Sequence, residues 1–339
     1  MSTERNIIKI VDLDVGYRKG KSDTLLLDAI SIDIHKGQLT AIMGRNGTGK
    51  STFLRTICGV QKPLSGNIII DGSSITALSL FSRAKKVSFV STEPVNVSHM
   101  RIKDIVALGR IPHTGWLGRM TEGDRIIIAE AIAATGLAEK QDEFIDEISD
   151  GERQRTMIAR ALAQDTDIIF LDEPTAYLDV INRYDIFHLL QRLTRNKDKT
   201  IVFSTHDLQL ALAEADRILL LENRKLIHGA PEDLLLNDDL DVLFKREYLE
   251  FDRKTATLVL KKELTARIGL QGDDNPALTF TAKAMERLGY SVIRQPGFVP
   301  VVTIKKTGEG LSWILQKKSG TIELNSIYDL SLHLRTLSN

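Results

Sequence analysis

The sequence predicts an α/β protein with a parallel-sheet core, followed by a small α+β domain. Short apolar runs at residues 39–43, 168–171 and 201–204 are flanked by polar residues, as buried parallel strands usually are. Helical patterns at residues 180–195 and 208–215 follow or separate these runs, which favours an alternating order of strands and helices. The chain has 339 residues, which suits two domains.

Residues 7–163 contain further predicted strands and a long helical segment. Residues 7–17 and 25–34 alternate apolar and polar side chains, which predicts half-buried antiparallel strands. Residues 68–72 are typical of a strand with a turn, and residues 87–90 of a buried strand. A mainly helical pattern extends over residues 102–163.

The organisation changes near residue 240. We therefore interpret residues 1–240 as one domain and residues 245–339 as a separate, small α+β domain. In the second domain, residues 248–264 favour a strand or hairpin, and residues 301–306 and 311–317 favour two further strands.

Two helices complete the prediction for the second domain. Asn275 is suited to cap a helix that has Pro276 at its first position. One side of that helix carries Leu278, Ala282, Met285 and Leu288. A second helix starts near Ser326, and its apolar stripe consists of Ile327, Leu330, Leu334 and Leu337.

Composition limits the possible partners. The hydrophobic fraction of 42% and the charged fraction of 27% suit a globular protein with a sizeable core. The formal net charge is zero, so we expect no nucleic-acid partner. Cys58 stands alone, which excludes a disulfide within the chain and suits a buried, unreactive thiol. Because no apolar run of about 18 residues occurs, we expect a cytoplasmic chain that needs a spanning partner for any membrane role.

The most informative stretch has the form G-x-x-x-x-G-K-S. It consists of Gly44, Arg45, Asn46, Gly47, Thr48, Gly49, Lys50 and Ser51. Because a predicted strand precedes it and a helical pattern follows it, we interpret it as a phosphate-binding loop and not as a chance turn. We expect Lys50 to reach the β- and γ-phosphates, Ser51 to ligate Mg²⁺, and Thr52 to lie at the nucleotide as well.

Two carboxylates follow the apolar run at residues 168–171. Asp172 would lie at the carboxyl edge of the sheet and hold Mg²⁺, directly or through water. Glu173 is placed to orient or deprotonate an attacking water molecule. A solvated acidic turn is the alternative, but the phosphate-binding loop about 120 residues upstream favours the catalytic interpretation.

Residues 148–155, Ile-Ser-Asp-Gly-Glu-Arg-Gln-Arg, resemble the LSGGQ-like signature of ABC-transporter ATPases. Ile148, Asp150 and Glu152 depart from that pattern, in place of Leu, the first Gly and Gln, and these exchanges are within the range of the family. The resemblance implies a P-loop NTPase cassette with a parallel-sheet core, an antiparallel β subdomain and a helical subdomain. It also implies that Ser149 and Gly151 contact the γ-phosphate of ATP held by the other subunit of a homodimer.

Further segments are similar to the same family. Tyr17 matches the aromatic residue that stacks on adenine, residues 176–179 match the loop at the dimer seam, and His206 matches the switch histidine. Taken singly, Tyr17 is an ordinary strand residue and His206 a structural histidine. Their order and spacing make the resemblance specific over about residues 5–235.

One segment departs from the family. The family usually has a glutamine after the strand at residues 87–90, which contacts Mg²⁺ or its water. Thr92 occupies the aligned position here, and its hydroxyl is shorter than an amide. Glu93 is a possible substitute, and an alignment slip of one residue is an equal alternative.

Within the family, residues 105–115 and 207–211 resemble ATPases that serve iron-siderophore, haem and vitamin B12 importers. This implies an ATP-hydrolysing subunit on the inner face of the cell membrane. Its expected partners are a second copy, polytopic permease subunits and, indirectly, a periplasmic substrate-binding protein.

Two rival functions stay open at this point. One is a soluble ABC ATPase that is not coupled to transport, although the chain has a single signature and lacks the long coiled coils of DNA-repair relatives. The other makes residues 245–339 a ligand-binding module that regulates the ATPase. A plain dimerisation module is the simpler interpretation of that domain.

Overall fold

The computed structural model describes residues 6–19, 22–93, 99–115, 118–243, 247–252, 257–273, 275–295, 297–307 and 310–336. These residues belong to two compact units. The first lies within residues 1–245 with the short segment 253–257, and the second within residues 246–252 and 258–339. Among the described helices, none has both the length and the apolar character needed to cross a membrane.

The first unit is built on a central sheet. Its strands, together with those of a second sheet, are β1 (Asn6–Lys19), β2 (Ser22–His35), β3 (Leu39–Gly44), β4 (Ser65–Ile70), β5 (Ser73–Ser74), β6 (Val87–Val90), β7 (Ile168–Leu171), β8 (Thr200–Ser204), β9 (Arg217–Glu222) and β10 (Lys225–Gly229). The central sheet has the order β10-β9-β3-β8-β7-β6. Strands β9, β3, β8, β7 and β6 are parallel to one another, whereas β10 is antiparallel to β9. The carboxyl ends of β3, β8 and β7 therefore meet at one edge.

The second sheet of this unit is antiparallel, with the order β2-β1-β4-β5. Ile10 lies opposite Ile32 across β1 and β2, and Ile8 lies opposite Ile70 across β1 and β4. These side chains are buried in one core with residues of the central sheet such as Ile42. The alternation in the sequence therefore predicted both long strands correctly.

The first unit also contains helices, several of which contact the central sheet. They are α1 (Lys50–Ile57), α2 (Leu80–Ala84), α3 (Ile102–Ala107), α4 (Glu122–Ala134), α5 (Asp150–Ala163), α6 (Val180–Lys197), α7 (Leu208–Glu214) and α8 (Pro231–Leu236). Short 3₁₀ segments lie at Leu108–His113, Ala138–Lys140 and Asp239–Leu243. Helices α3, α4 and α5 pack against one another and form the helical region that the sequence predicted.

A buried ion pair joins the helices of that region. Arg110 Nε donates to Asp124 Oδ1 at 2.8 Å, and Arg110 Nη1 donates to the carbonyl oxygen of Ala163 at 2.9 Å. The backbone N–H and the hydroxyl of Thr121 both donate to Asp124 Oδ2. The hydrogen bonds from Thr121 and Arg110 lower the pKa of Asp124 to about 2. This charged contact ties the start of α4 to the end of α5.

The second unit combines a five-stranded sheet with two helices. The remaining elements are β11 (Leu249–Asp252), β12 (Thr257–Leu260), β13 (Ala266–Gln271), α9 (Pro276–Arg287), β14 (Tyr290–Ile293), β15 (Val301–Thr307), β16 (Gly310–Lys317), β17 (Gly320–Leu324) and α10 (Ile327–Arg335). The larger sheet has the order β14-β13-β15-β16-β17, and β11 pairs with β12. Strand β13 is parallel to both neighbours, whereas β15, β16 and β17 are antiparallel.

Two polar contacts fix α9 and α10 to this sheet. Trp313 Nε1 donates to Thr281 Oγ1 at 2.8 Å, and the Tyr290 hydroxyl donates to the carbonyl oxygen of Leu334 at 2.8 Å. The Asn275 side chain accepts from the backbone N–H of Leu278, so the predicted helix cap is present. Of the predicted stripe on α10, Leu337 lies outside the described residues.

The sequence patterns do not predict β9, β10, β13, β14 and β17. In β13, Gly269 and the exposed Arg267 interrupt the apolar pattern. Strand β17 has a single fully buried residue, Leu324, so it carries almost no hydrophobic signal. The predicted strand or hairpin at residues 248–264 corresponds to the two short strands β11 and β12.

Candidate nucleotide-binding site

The predicted phosphate-binding loop connects the end of β3 to the start of α1. Gly47 and Gly49 have φ angles of 83° and 98°, in the left-handed region that favours glycine. At Gly44 a Cβ atom would lie 2.7 Å from the carbonyl oxygen of Leu221, so a larger residue does not fit. The N-cap of α1 has no side-chain hydrogen bond, and its first turn has no acidic residue. The helix N-terminus is therefore suited to an anion.

Lys50 is buried beside this loop. Its Nζ donates to the carbonyl oxygens of Gly44 at 3.1 Å and Arg45 at 3.5 Å. Burial lowers the pKa of Lys50, and the negative charges of Glu173 and Asp172 oppose that effect. An ammonium group has three donors, so these two contacts with described residues leave one for a ligand oxygen.

Asp172 follows β7 and is 1% exposed. Ser204 Oγ donates to Asp172 Oδ1 at 2.7 Å. Asp172 Oδ2 accepts no hydrogen bond from the described residues, and Arg55 Nη2 lies 3.8 Å from it. A buried carboxylate oxygen without a hydrogen bond is costly unless a ligand contacts it. Because Mg²⁺ prefers oxygen ligands, Asp172 fits the predicted metal site.

Glu173 and His206 meet at the same edge. Glu173 has a φ of 45°, which is uncommon for a residue with a side chain. Its backbone N–H donates to Ser204 Oγ at 2.9 Å, so one hydroxyl supports both carboxylate positions. Glu173 Oε2 lies 3.5 Å from Nδ1 of the exposed His206. The neighbouring strands β7 and β8 thus bring a candidate base close to an imidazole.

Tyr17 lies in β1 and is 51% exposed. Its hydroxyl forms a hydrogen bond with the hydroxyl of Thr52, which is buried in α1. Ser51 precedes Thr52 in the first turn of the helix and is partly buried. The hydrogen bond fixes the tyrosine beside α1, and its exposed ring is suited to stacking on a base.

Ser149 and Gly151 lie at the N-terminus of α5. Ser149 Oγ donates to Glu152 Oε2 at 2.8 Å and accepts from the backbone N–H of Glu152 at 3.3 Å, which forms a capping box. Lys140 Nζ lies 2.8 Å from Glu152 Oε1. The hydrogen bonds from Lys140 and Ser149 lower the pKa of Glu152 to about 2. At Gly151 a Cβ atom would lie 2.4 Å from Asn182 Oδ1.

Thr92 and Glu93 follow β6 after one intervening residue, Ser91. Arg55 Nη2 donates to Glu93 Oε1 at 3.2 Å. The same guanidinium group is the one that approaches Asp172. Arg55 therefore connects Glu93 to the edge of the sheet where the predicted metal site lies.

Comparisons with known proteins identify the family of this chain. The family model described as ABC transporter matches residues 27–176, and the model described as iron ABC transporter C-terminal domain matches residues 265–335. An uncharacterized ABC transporter ATP-binding protein of Methanocaldococcus jannaschii is 38% identical over 70% of this chain and 81% of its own length. This chain belongs to the family of ABC transporter ATP-binding proteins.

Two further relatives of this ABC protein are import proteins. The petrobactin import ATP-binding protein FpuD of Bacillus anthracis is 36% identical over 63% of this chain and 78% of its own length. The iron(3+)-hydroxamate import ATP-binding protein FhuC of Bacillus subtilis is 34% identical over 71% of this chain and 88% of its own length.

Solved structures share the fold of the ABC protein. A transporter described as of the metal-chelate type, in an inward-facing conformation, is 28% identical with a TM-score of 0.62, covering 71% of this chain and 89% of its own. A dimeric bacterial ABC transporter cassette is 28% identical with a TM-score of 0.59, covering 66% of this chain and 98% of its own. The predicted cassette fold is confirmed, and the chain is an ATP-binding ATPase.

Sequence reasoning missed two contributors to the site of this ABC protein. Ser204 contacts both the Asp172 side chain and the Glu173 backbone, and its place at the end of β8, two residues before His206, was an available signal. Arg55 lies within a helical pattern and had no such signal, because its contacts depend on the packing of α1 against the edge of the sheet.

Proposed function

We propose that this chain is the ATP-hydrolysing subunit of an importer for a metal chelate of the ferric siderophore, haem or cobalamin type. The match of residues 265–335 to the iron ABC transporter C-terminal domain supports this class of cargo. The names of the petrobactin and iron(3+)-hydroxamate relatives support it as well. Residues 1–240 act as the ATPase domain in this proposal, and residues 245–339 form a separate domain.

The observation that best supports ATP hydrolysis is that Lys50 lies close to Asp172 and Glu173 at one edge of the sheet. The negative charges of both carboxylates act on the pKa of Lys50. Lys50 and the backbone N–H groups of the loop bind the phosphate oxygens of ATP. The Tyr17 ring stacks on adenine and is oriented by Thr52. The complete loop set consists of Gly44, Arg45, Asn46, Gly47, Thr48, Gly49, Lys50 and Ser51.

Ser51 and Asp172 would hold Mg²⁺. Ser51 lies in the first turn of α1, and Asp172 offers its unbonded Oδ2. Ser204 fixes the other oxygen of Asp172 and thereby its orientation. When bound, the metal ion neutralises negative charge on the transferred phosphate group.

Glu173 acts as the general base. Its carboxylate accepts a proton from the attacking water molecule, and its backbone is held by Ser204. His206, 3.5 Å from the Glu173 carboxylate, donates to the γ-phosphate.

Two copies of the chain close around two ATP molecules in this proposal. Ser149 and Gly151 of one copy contact the γ-phosphate bound by the other, once the Ser149 hydroxyl has left Glu152 and donates to the phosphate. Closure and reopening drive polytopic permease subunits, so that the chain works on the inner face of the membrane. A periplasmic substrate-binding protein delivers the cargo and acts on this chain only indirectly.

Uptake measurements test the importer assignment. Cells that lack this chain are supplied with a labelled ferric siderophore, haem or cobalamin, and are complemented with the parent or with Lys50→Ala. We expect the parent, and not the variant, to restore uptake of one chelate class. Unchanged uptake of all three chelates in the deleted strain would overturn the assignment.

A further inference from the structure

Arg55 lies between two carboxylates that belong to different parts of the nucleotide site. Its Nη2 is 3.2 Å from Glu93 Oε1 and 3.8 Å from Asp172 Oδ2. Asp172 is 1% exposed, whereas the Glu93 side chain is 77% exposed. One guanidinium group therefore spans a buried carboxylate and a solvent-facing one.

The contact with Asp172 matters because only one oxygen of that carboxylate is unbonded. Ser204 already donates to Oδ1, so Oδ2 is the oxygen with no hydrogen bond from the described residues, and it lies on the side of Arg55. A guanidinium group stays charged at every pH of interest and cannot withdraw its charge by losing a proton. Arg55 and Mg²⁺ are thus two cations directed at one oxygen, and each disfavours the other.

The contact with Glu93 opposes this competition. It is the shorter of the two contacts and has hydrogen-bond geometry, whereas the approach to Asp172 is an ion pair at longer distance. Because Glu93 is largely exposed, the pair is weak and can open and close. Glu93 follows β6, where the sequence departs from the family pattern.

We propose that Arg55 is a positioning residue that competes with Mg²⁺ for the free oxygen of Asp172, and that Glu93 favours metal entry because its hydrogen bond to Arg55 Nη2 weakens the longer contact of the same nitrogen with Asp172. This rests on the proposed ATP–Mg²⁺ site and deepens it. Glu93 acts on the metal through Arg55 and does not contact the metal itself. Thr92 has no part in this control.

A titration of the full-length chain with Mg²⁺ tests the proposal. The readout is the fluorescence of a ribose-labelled, non-hydrolysable ATP analogue at saturating concentration, with the free Mg²⁺ concentration at half-maximal change as the midpoint. Arg55→Gln removes the competing cation and should lower the midpoint about two- to fivefold, as expected for a partly exposed ion pair. Glu93→Gln should raise the midpoint by a similar factor.

The double variant separates an indirect from a direct role of Glu93. In the Arg55→Gln background, Glu93→Gln should have no further effect on the midpoint. Arg55→Lys keeps the charge and should lie closer to the parent than Arg55→Gln does. Arg125→Gln is a matched control, since it removes an equal charge from another exposed ion pair, with Glu122. That control and Thr92→Ala should both leave the midpoint unchanged.

Three outcomes would overturn the proposal. They are an unchanged or raised midpoint for Arg55→Gln, an effect of Glu93→Gln that persists in the double variant, and a shift in Thr92→Ala as large as that in Glu93→Gln. The parent serves as the separate test of the nucleotide site. If the parent shows no Mg²⁺-dependent binding of the analogue, the proposed function fails, whatever the variants do.

Discussion

The N-termini of α1 and α5 are both candidates for binding phosphate, yet they are built in different ways. The first turn of α1 has no acidic residue, and its N-cap, Gly49, forms no side-chain hydrogen bond. The first turn of α5 contains Asp150 and Glu152, and its N-cap, Ser149, is engaged in a capping box. The first helix end is open to an anion, whereas the second is already satisfied by its own side chains.

This difference indicates how the two ends can be used. In the proposed function, the α1 end, with the buried Lys50 beside it, serves as a phosphate site within one chain. At the α5 end the Ser149 hydroxyl has to leave Glu152 before it can donate to a phosphate oxygen. We therefore expect ATP to bind first at α1, and the signature helix to engage only when a second copy brings a phosphate to it.

The largest expected effect is that of Glu173→Gln. Loss of the general base should lower ATP turnover by about 10²- to 10⁴-fold, while ATP binding at α1 persists and an ATP-bound dimer accumulates. Steady-state phosphate release and size-exclusion chromatography with ATP measure the two effects. Glu122→Gln, on the exposed face of α4, is the charge-matched control. Near-parental turnover of pure Glu173→Gln would remove Glu173 from the proposed role.

Lys50→Ala should have the next largest effect. Because charge-assisted hydrogen bonds to phosphate are lost, affinity for ATP should fall about tenfold to a hundredfold. Titration of the pure protein with a fluorescent ATP analogue measures this change. Lys62→Ala removes an exposed lysine in the same part of the chain and should bind like the parent. Equal affinities for Lys50→Ala and Lys62→Ala would contradict an anion site at α1.

At α5, Ser149 can be replaced in two ways that separate capping from ligand contact. Ser149→Ala should lower the free energy of unfolding by about 1 kcal/mol, whereas Ser149→Gly should lower it by only a few tenths. Both variants lack the hydroxyl, so both should weaken the ATP-bound dimer similarly. Urea unfolding and chromatography of the dimer provide the measurements. If Ser149→Gly forms clearly more dimer than Ser149→Ala, in line with its smaller loss of stability, Ser149 serves only as a cap.

A smaller effect is expected from pH at the same capping box. The pKa of Glu152 is lowered from 4.5 to about 2, chiefly by the hydrogen bond from Lys140. A lowered pKa means that the ionised carboxylate stabilises the fold above pH 4.5, and that this contribution is lost as the pH falls toward 2. The difference in free energy of unfolding between the parent and Glu152→Gln should therefore shrink over that range. A difference that stays constant over this range would contradict this contribution.

The part of the site that the sequence predicts is the part encoded by neighbouring residues. Gly49, Lys50 and Ser51 form a local motif, and Asp172 and Glu173 directly follow a buried strand, so spacing alone indicated their chemistry. Arg55 could not be found in this way, since its contacts with Glu93 and Asp172 arise from tertiary packing.

The strands of the fold, too, were predicted only where neighbouring residues form a clear pattern. Long alternating strands such as β1 and buried apolar strands such as β8 were predicted, because burial dictates their patterns. Strand β13 was missed because Gly269 and Arg267 interrupt its apolar pattern, and its parallel pairing to β14 and β15 is a long-range feature. Short, exposed strands such as β17 have too few buried residues for any pattern to form.

We expect that the N-terminus of α1 binds phosphate within one chain, whereas the N-terminus of α5 contacts phosphate only in a dimer. Cysteine cross-linking tests this expectation most directly. The single native thiol, Cys58, is buried, and burial raises its pKa to about 12, so it should stay unreactive. Asn46→Cys in one sample and Ser149→Cys in another place reactive thiols at the two helix ends, in a Glu173→Gln background.

The two samples are mixed with a short bifunctional maleimide, with and without ATP and Mg²⁺. We predict a cross-linked dimer that forms only when both variants and ATP are present. Either variant alone should give little dimer, because like positions lie on opposite sides of a sandwich. No ATP-dependent cross-link in the mixture, or an equally efficient link within one chain that carries both cysteines and stays monomeric, would contradict the account.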